Sequence, residues 1–120
     1  MSLLKGKKGL IMGVANDRSI AWGIAKKLSE HDAELAFTYL GDTLKKRVVP
    51  LAQSLKSNFT LNCDVEKKED IVRTFNNIKN KWGNLDFVEL ILGILFWNVS
   101  FIAFNSVISP TGVDVPWVLI

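Results

Sequence analysis

Between Lys8 and Leu28 the apolar residues change their period. Leu10-Ile11-Met12 is a continuous apolar run that stops at Gly13, a polar stretch Asn16-Asp17-Arg18 follows, and from Ser19 the apolar residues recur at Ile20, Ile24 and Leu28. A run followed by a helical recurrence reads as a strand, a tight turn and a helix. Ser19 takes the N-cap position, where its hydroxyl is expected to satisfy an orphan N–H of the first turn, and the N–H groups left free there can hold a phosphate. Gly13 lets the backbone turn sharply and approach a ligand where a side chain would collide. The spacing is a variant of the dinucleotide fingerprint Gly-x-Gly-x-x-Gly, with Ala15 in the middle place and the third glycine late, at Gly23.

The alternation continues along the chain. Ile20 to about Glu30 reads as the first helix, left through His31-Asp32, with His31 a solvated loop residue. Glu34 to Leu40 is a short apolar run with Phe37 and Tyr39, consistent with a buried second strand. In a dinucleotide fold the end of this strand meets the adenine ribose, an acid there favouring NAD and a base NADP. Here the end reads Tyr39-Leu40-Gly41-Asp42, which puts Leu40 near the ribose; Asp42 is expected to cap the next helix, with a ribose contact as its alternative role. Thr43 to Lys56 carries Leu44, Val48, Leu51, Ala52 and Leu55 on one face and reads as the second helix, bent or divided at Pro50. Phe59 to Cys63 is the third strand, and Lys67 to Trp82 the third helix, with Ile71, Phe75, Ile78 and Trp82 at helical spacing and Gly83 ending it. Trp22 and Trp82 are expected to pack in the core, and Phe87-Val88 opens a fourth strand. Strand and helix alternating in this way make a right-handed parallel sheet with helices on both faces. The expectation is therefore an α/β fold, the N-terminal half of a Rossmann-type doubly wound sheet (β-α-β-α-β-α-β), truncated after its fourth strand.

Composition narrows the function classes. The net charge is +3, but the fifteen Lys and Arg are spread over several helices instead of forming one basic tract, so no nucleic-acid partner is expected. A single cysteine, Cys63, excludes an internal disulfide and any four-cysteine metal site, and no metal ligand set is expected. That usage fits a reducing cytosol, and the N-terminus, which reaches Lys5 without a long apolar stretch, shows no signal peptide. All the basic residues lie between Lys5 and Lys81, whereas Phe87 to Ile120 contains only two charges, Glu89 and Asp114.

The series Gly13-x5-Ser19-x-Ala21-Trp22-Gly23-Ile24-Ala25 resembles the first turn of the NADH-dependent enoyl-acyl-carrier-protein reductases of bacterial fatty-acid synthesis, a divergent branch of the short-chain dehydrogenase/reductases. Leu4-Lys5-Gly6-Lys7-Lys8-Gly9, Ala33-Glu34-Leu35-Ala36-Phe37-Thr38-Tyr39 and Cys63-Asp64-Val65 are similar to the same enzymes in the same order and at the same spacing, over roughly residues 3 to 88. The resemblance implies NAD(H) as cofactor, with Gly13, Ala15, Ser19 and Ile20 around the pyrophosphate, the Asp64 side chain and Val65 backbone at the adenine ring, and Leu92 and Gly93 on the nicotinamide side. The relatives often have glutamine where Leu40 stands, so a polar ribose contact is missing and the choice between NADH and NADPH is open. Asp64 has a second reading, as the cap of the following helix, and Cys63 reads as buried strand. Lys45-Lys46-Arg47 is the solvated side of the second helix, the alternative being a contact to an NADP 2′-phosphate or to the acidic carrier protein. The family implies a cytoplasmic homotetramer acting on an enoyl chain bound to acyl carrier protein.

Beyond Val88 the resemblance stops. The relatives continue with a His-Ser-Ile-Gly-like turn and later a Tyr-x6-Tyr-x6-Lys arrangement that carries the chemistry. Here Glu89-Leu90-Ile91-Leu92-Gly93 stands at the turn, Tyr39 is the one tyrosine, and no lysine follows Lys81, so no catalytic residue is named. Residues 1–88 are thus expected to be a NAD(H)-binding half-domain and residues 89–120 an apolar tail, non-native through a change of reading frame or partly disordered. Leu90 to Val113 is long enough to span a bilayer. Its Asn98, Asn105 and serines, the Pro110-Thr111-Gly112 turn and its β-branched and aromatic content argue against a membrane helix.

Overall fold

The computed structural model describes residues 2–90 and 118–119. Along them run β1 (Lys8–Met12), α1 (Ile20–Glu30), β2 (Glu34–Tyr39), α2 (Gly41–Ser54), β3 (Thr60–Asn62), α3 (Lys68–Trp82), β4 (Phe87–Leu90) and β5 (Val118–Leu119). The strands form one parallel sheet in the order β3-β2-β1-β4-β5. Leu10 lies opposite Ala36 on one side and Val88 on the other, and Ile11 opposite Phe37 and Glu89. The chain therefore builds outward from β1 through β2 to β3, then returns past β1 to lay down β4. Strand order thus reverses between β1 and β4, and open α/β sheets hold their ligands beyond the carboxyl ends of the strands at such a reversal.

Alternation of side chains along each strand divides the core into two layers. Leu10, Met12, Ala36, Val88 and Leu90 pack with Ile71, Phe75 and Ile78 of α3, while Ile11, Leu35, Phe37 and Phe87 pack with Ala21, Trp22 and Ala25 of α1 and Val48 and Ala52 of α2. Helices thus cover both faces, which is why these strands read as unbroken apolar runs. Trp22 and Trp82 pack as expected: Trp22 is buried with its ring centroid 6.4 Å from that of Phe37, and Trp82 meets Phe59 edge-on at 5.1 Å. Asp86 ties the two central strands at their starts, its carboxylate accepting from Lys8 N at 2.8 Å and its own N–H donating to Lys8 O at 2.8 Å. At the next register position Gly9 faces Phe87, and a Cβ on Gly9 would stand 2.0 Å from that ring.

Several elements depart from the sequence expectation for identifiable reasons. The buried stripe of α1 is Ala21, Trp22 and Ala25, not Ile20, Ile24 and Leu28; Ile20 is 70 % exposed and the other two are half-buried. Two neighbouring stripes satisfy the same helical spacing, and the one that places the large Trp22 ring against Phe37 is the one that is buried. Helix α2 begins at Gly41, with Leu40 at the N-cap, so Asp42 lies inside the first turn instead of capping it. Gly41 makes this earlier start possible through its φ of 80°. Pro50 stands within α2, which continues to Ser54. His31 is half-buried, closes α1 as its C-cap, and accepts from Leu4 N at 2.9 Å, so it is not simply solvated. Strand β4 continues through Glu89 and Leu90, and β5 lies beside it; the expectations for the rest of residues 91–120, including the membrane-span question and the frame change, fall outside the described residues. Among the described residues no helix is long and apolar enough to cross a membrane.

Candidate functional site

Because every strand is parallel, the segments that follow β1, β2 and β3 emerge on one edge of the sheet. That edge gathers Gly13 to Ser19, Leu40-Gly41 and Asp64-Val65. Leu92 and Gly93, which follow β4, lie outside the described residues.

The turn after β1 starts at Gly13 with φ 105°, a conformation that side-chain-bearing residues rarely adopt. It closes on Ser19, but not as a cap. Ser19 occupies the N-cap with extended backbone, and its hydroxyl makes no bond into the helix; instead Oγ accepts from Ala15 N at 2.9 Å and Asn16 N at 3.0 Å. The side chain folds back into the turn because those amides converge on it, and Arg18 N is held separately by Asn16 Oδ1 at 2.8 Å. A hydroxyl oxygen has two acceptor positions, so Ser19 keeps only its proton to offer a ligand. The first intrahelical bond at this end runs from Gly23 N to Ser19 O at 3.1 Å. The N–H groups of Ile20, Ala21 and Trp22 therefore have no intrahelical acceptor, and with the helix dipole they form an anion-binding end. Ile20 stands exposed beside it. Gly23, read as the fingerprint's late third glycine, has open space where a Cβ would go, so close packing does not require glycine there.

At the second and third crossovers the loops are tied to each other. Leu40 is 52 % exposed at the N-cap of α2. Gly41 N donates to Asn62 Oδ1 at 3.2 Å, linking the end of β2 to the end of β3. Asp64 is half-buried; its Oδ1 accepts from Glu66 N at 3.0 Å and its own N–H donates to Asp70 Oδ2 at 2.9 Å. The N-cap of α3 is Lys67, so Asp64 shapes the entering turn and does not cap the helix. Arg73 completes the group, with Nη1 3.0 Å from Asp70 Oδ1 and Nη2 donating to Asn62 O at 2.8 Å. The Asp64 N–H, and after it the Arg73 guanidinium, hold the Asp70 carboxyl below its usual range. Asn62, Asp70 and Arg73 were not singled out from the sequence; the one local signal is the acid-base pair three residues apart at the start of α3.

Two further groups bear on the edge. Cys63 is buried, which pushes its thiol up and fits its reading as strand. Glu89 is 0 % exposed, its two carboxylate oxygens have no hydrogen-bond partner among the described residues, and burial pushes it up to about 8. Lys45, Lys46 and Arg47 are all exposed. A cleft of about 440 Å³ lined by Glu34, Ser57, Phe59 and Trp82 opens at the amino ends of β2 and β3, the edge opposite the dinucleotide turn. No group of three or more His, Cys, Asp or Glu among the described residues could hold a metal ion.

Known proteins are similar to this chain in sequence and fold. The family model described as enoyl-(acyl carrier protein) reductase matches residues 13–105. The NADH enoyl-acyl-carrier-protein reductase 2 of Rhizobium meliloti is 56 % identical over 91 residues, which is 76 % of this chain and 34 % of the relative. Among solved structures, the reductase of Candidatus Liberibacter asiaticus superposes with a TM-score of 0.73 at 52 % identity, over 74 % of this chain and 34 % of that one. The Anaplasma phagocytophilum reductase, solved in complex with NAD, gives 0.77 at 38 % identity over 92 % of this chain and 52 % of that one. The chain thus spans about a third of the length of the curated relatives it matches. With the glycine turn, the parallel sheet and the family match over most of its length in agreement, the chain belongs to the enoyl-acyl-carrier-protein reductase family.

Proposed function

We propose that these residues form the NADH-binding half of an enoyl-acyl-carrier-protein reductase, which reduces the trans-2 double bond of a carrier-bound acyl chain by hydride transfer. The observation that carries this reading is the turn from Gly13 to Ser19: a positive-φ glycine and a serine that gathers two amides lead into an unfilled helix N-terminus. In this reading Gly13, Ala15, Ser19 and Ile20 surround the pyrophosphate, the Ser19 hydroxyl and the first-turn amides donating to its oxygens. Leu40 lies along the adenosine ribose, and Asp64 and Val65 meet the adenine. Leu92 and Gly93 would face the nicotinamide. NAD(H) supplies the hydride when bound; what this chain does is hold its anionic and adenosine portions and keep the crevice aligned with the ends of β1 and β4.

Reduction of an enoyl thioester builds negative charge on the thioester oxygen, which calls for a proton donor and a cation close by. Tyr39 is half-buried within β2 and no lysine follows Lys81, so those groups belong to segments of the relatives beyond the ones shared here. Action on acyl carrier protein, assembly as a homotetramer and a cytoplasmic setting are part of the same proposal for the whole protein. A thermal-denaturation series tests the binding half: NADH and adenosine diphosphate should each raise Tm with concentration, since a ligand at about a hundred times its Kd adds about 2.7 kcal/mol to stability. The same samples with an enoyl thioester should consume no NADH. A Tm unmoved by either nucleotide contradicts the reading.

A further inference from the structure

The four polar contacts that join Gly41, Asn62, Asp64, Asp70 and Arg73 form one chain, and a fifth, from Glu66 N to Asp64 Oδ1, closes the turn at its end. It runs from Gly41 N to the Asn62 side chain, from the Asn62 carbonyl to Arg73, from Arg73 to Asp70, from Asp70 to Asp64 N, and ends in the Asp64 turn. As a stabilising device this is poorly placed. The Arg73 side chain is 54 % exposed and that of Asp70 19 %, and ion pairs in such positions contribute little to folding. Yet the contacts converge on the two crossover loops, which the sheet topology carries to the same edge. Beside this chain the loops are held by Cys63 N donating to Tyr39 O, by Lys67 N donating to Asp64 O and by Val65 packing on the core, while Leu40 is exposed and neither α2 nor α3 has a side-chain cap.

We propose that Asn62, Asp70 and Arg73 form a brace that fixes the Leu40-Gly41 and Asp64-Val65 loops in one arrangement, so that the adenosine end of a dinucleotide meets a preformed cleft. This rests on the dinucleotide reading above. Arg73 is the keystone because its planar guanidinium holds two acceptors at once, the Asp70 carboxylate and the Asn62 carbonyl. A lysine can satisfy only one of them in that geometry. Asp70 in turn uses both oxygens, and its second one orients the Asp64 amide and with it the Asp64 side chain. These are positioning residues; they touch the loops, and the loops touch the ligand. Ordering the loops before binding removes an entropy cost that the ligand would otherwise meet for each residue that must be fixed.

The test compares the whole chain with Arg73→Ala, Arg73→Lys and Asp70→Ala, and with Glu30→Ala, which breaks the exposed Lys27–Glu30 pair on α1 and serves as a control of the same kind. Calorimetry measures binding of adenosine diphosphate and of inorganic pyrophosphate, and amide hydrogen exchange follows Gly41 and Asp64. Loss of Arg73 or Asp70 should weaken adenosine diphosphate about fivefold to thirtyfold, the effect of one freed residue. Pyrophosphate, which needs only the first turn, should bind as before, the Gly41 and Asp64 amides should exchange faster, Arg73→Lys should recover only part of the loss, and Glu30→Ala should change nothing. Equal adenosine diphosphate affinity in the unaltered chain and the brace variants would overturn the brace. An unaltered chain that binds no adenosine diphosphate would instead overturn the dinucleotide reading beneath it.

Discussion

Ser19 does the opposite of what an N-cap serine usually does, and the difference can be measured. Its hydroxyl is the acceptor for Ala15 N and Asn16 N. Ser19→Ala leaves two amides to water, each bond contributing about 0.5–1.5 kcal/mol, and removes the donor proposed for a phosphate oxygen. The expected result is a lower Tm and a larger loss of pyrophosphate affinity than Asp42→Ala causes at the start of α2; equal losses would show that Ser19 is an ordinary surface serine. Glu89 carries the other residue-scale prediction. Its buried carboxyl lies above the normal value of 4.5, at about 8, because burial disfavours the charged form. The folded chain therefore binds the proton more tightly than the unfolded one, and stability present below 4.5 is lost as pH rises to about 8. Glu89→Leu should be more stable than the unaltered chain, by a margin that widens between pH 5 and pH 8 in urea melts. A margin independent of pH would mean that the carboxyl is not desolvated. Neither behaviour is visible in the sequence: N-cap backbone geometry allows a serine to bond forward or back, and Glu89 reads as one charge in an apolar run until the sheet closes around it.

At the scale of elements, strand and helix order was legible because the apolar period changes at every boundary. Ile71, Phe75 and Ile78 on α3 and Val48 and Ala52 on α2 are buried as their spacing implied. Boundaries and faces were less legible where two solutions share one spacing, as for Ile20 against Ala21 and Trp22, or where a glycine conformation moves the start of a helix, as at Gly41. The brace of Asn62, Asp70 and Arg73 could not be read at all from local pattern. Its members touch across a loop, and only the parallel pairing of β2 with β3 brings Gly41 to Asn62. Pairing of β1 with β4 rests on an equally non-local fit, Gly9 against the Phe87 ring. Gly9→Ala would place its methyl 2.0 Å from that buried ring and should destabilise the chain by about 1–3 kcal/mol, read as a drop in the urea midpoint. Phe87→Leu in the same background should recover part of the loss, since it removes the ring that collides; a double variant no better than Gly9→Ala would show that the strain lies elsewhere.

For the whole molecule, the central proposal is that one edge of the sheet, from the Gly13 turn to Asp64, binds the anionic and adenosine portions of NADH. The site of an open α/β sheet spans both sides of the strand-order reversal, and the described residues supply mainly the β1-β2-β3 side. Gly13 is the residue on which the claim turns, because its φ of 105° is strained for any other side chain. The most direct measurement is calorimetric titration of the chain with NADH and with adenosine diphosphate, repeated on Gly13→Val. The account predicts weak binding in which adenosine diphosphate competes almost as well as NADH, and no binding of either to a folded Gly13→Val chain. Undiminished binding to folded Gly13→Val, or NADH binding far more tightly than adenosine diphosphate, would contradict it.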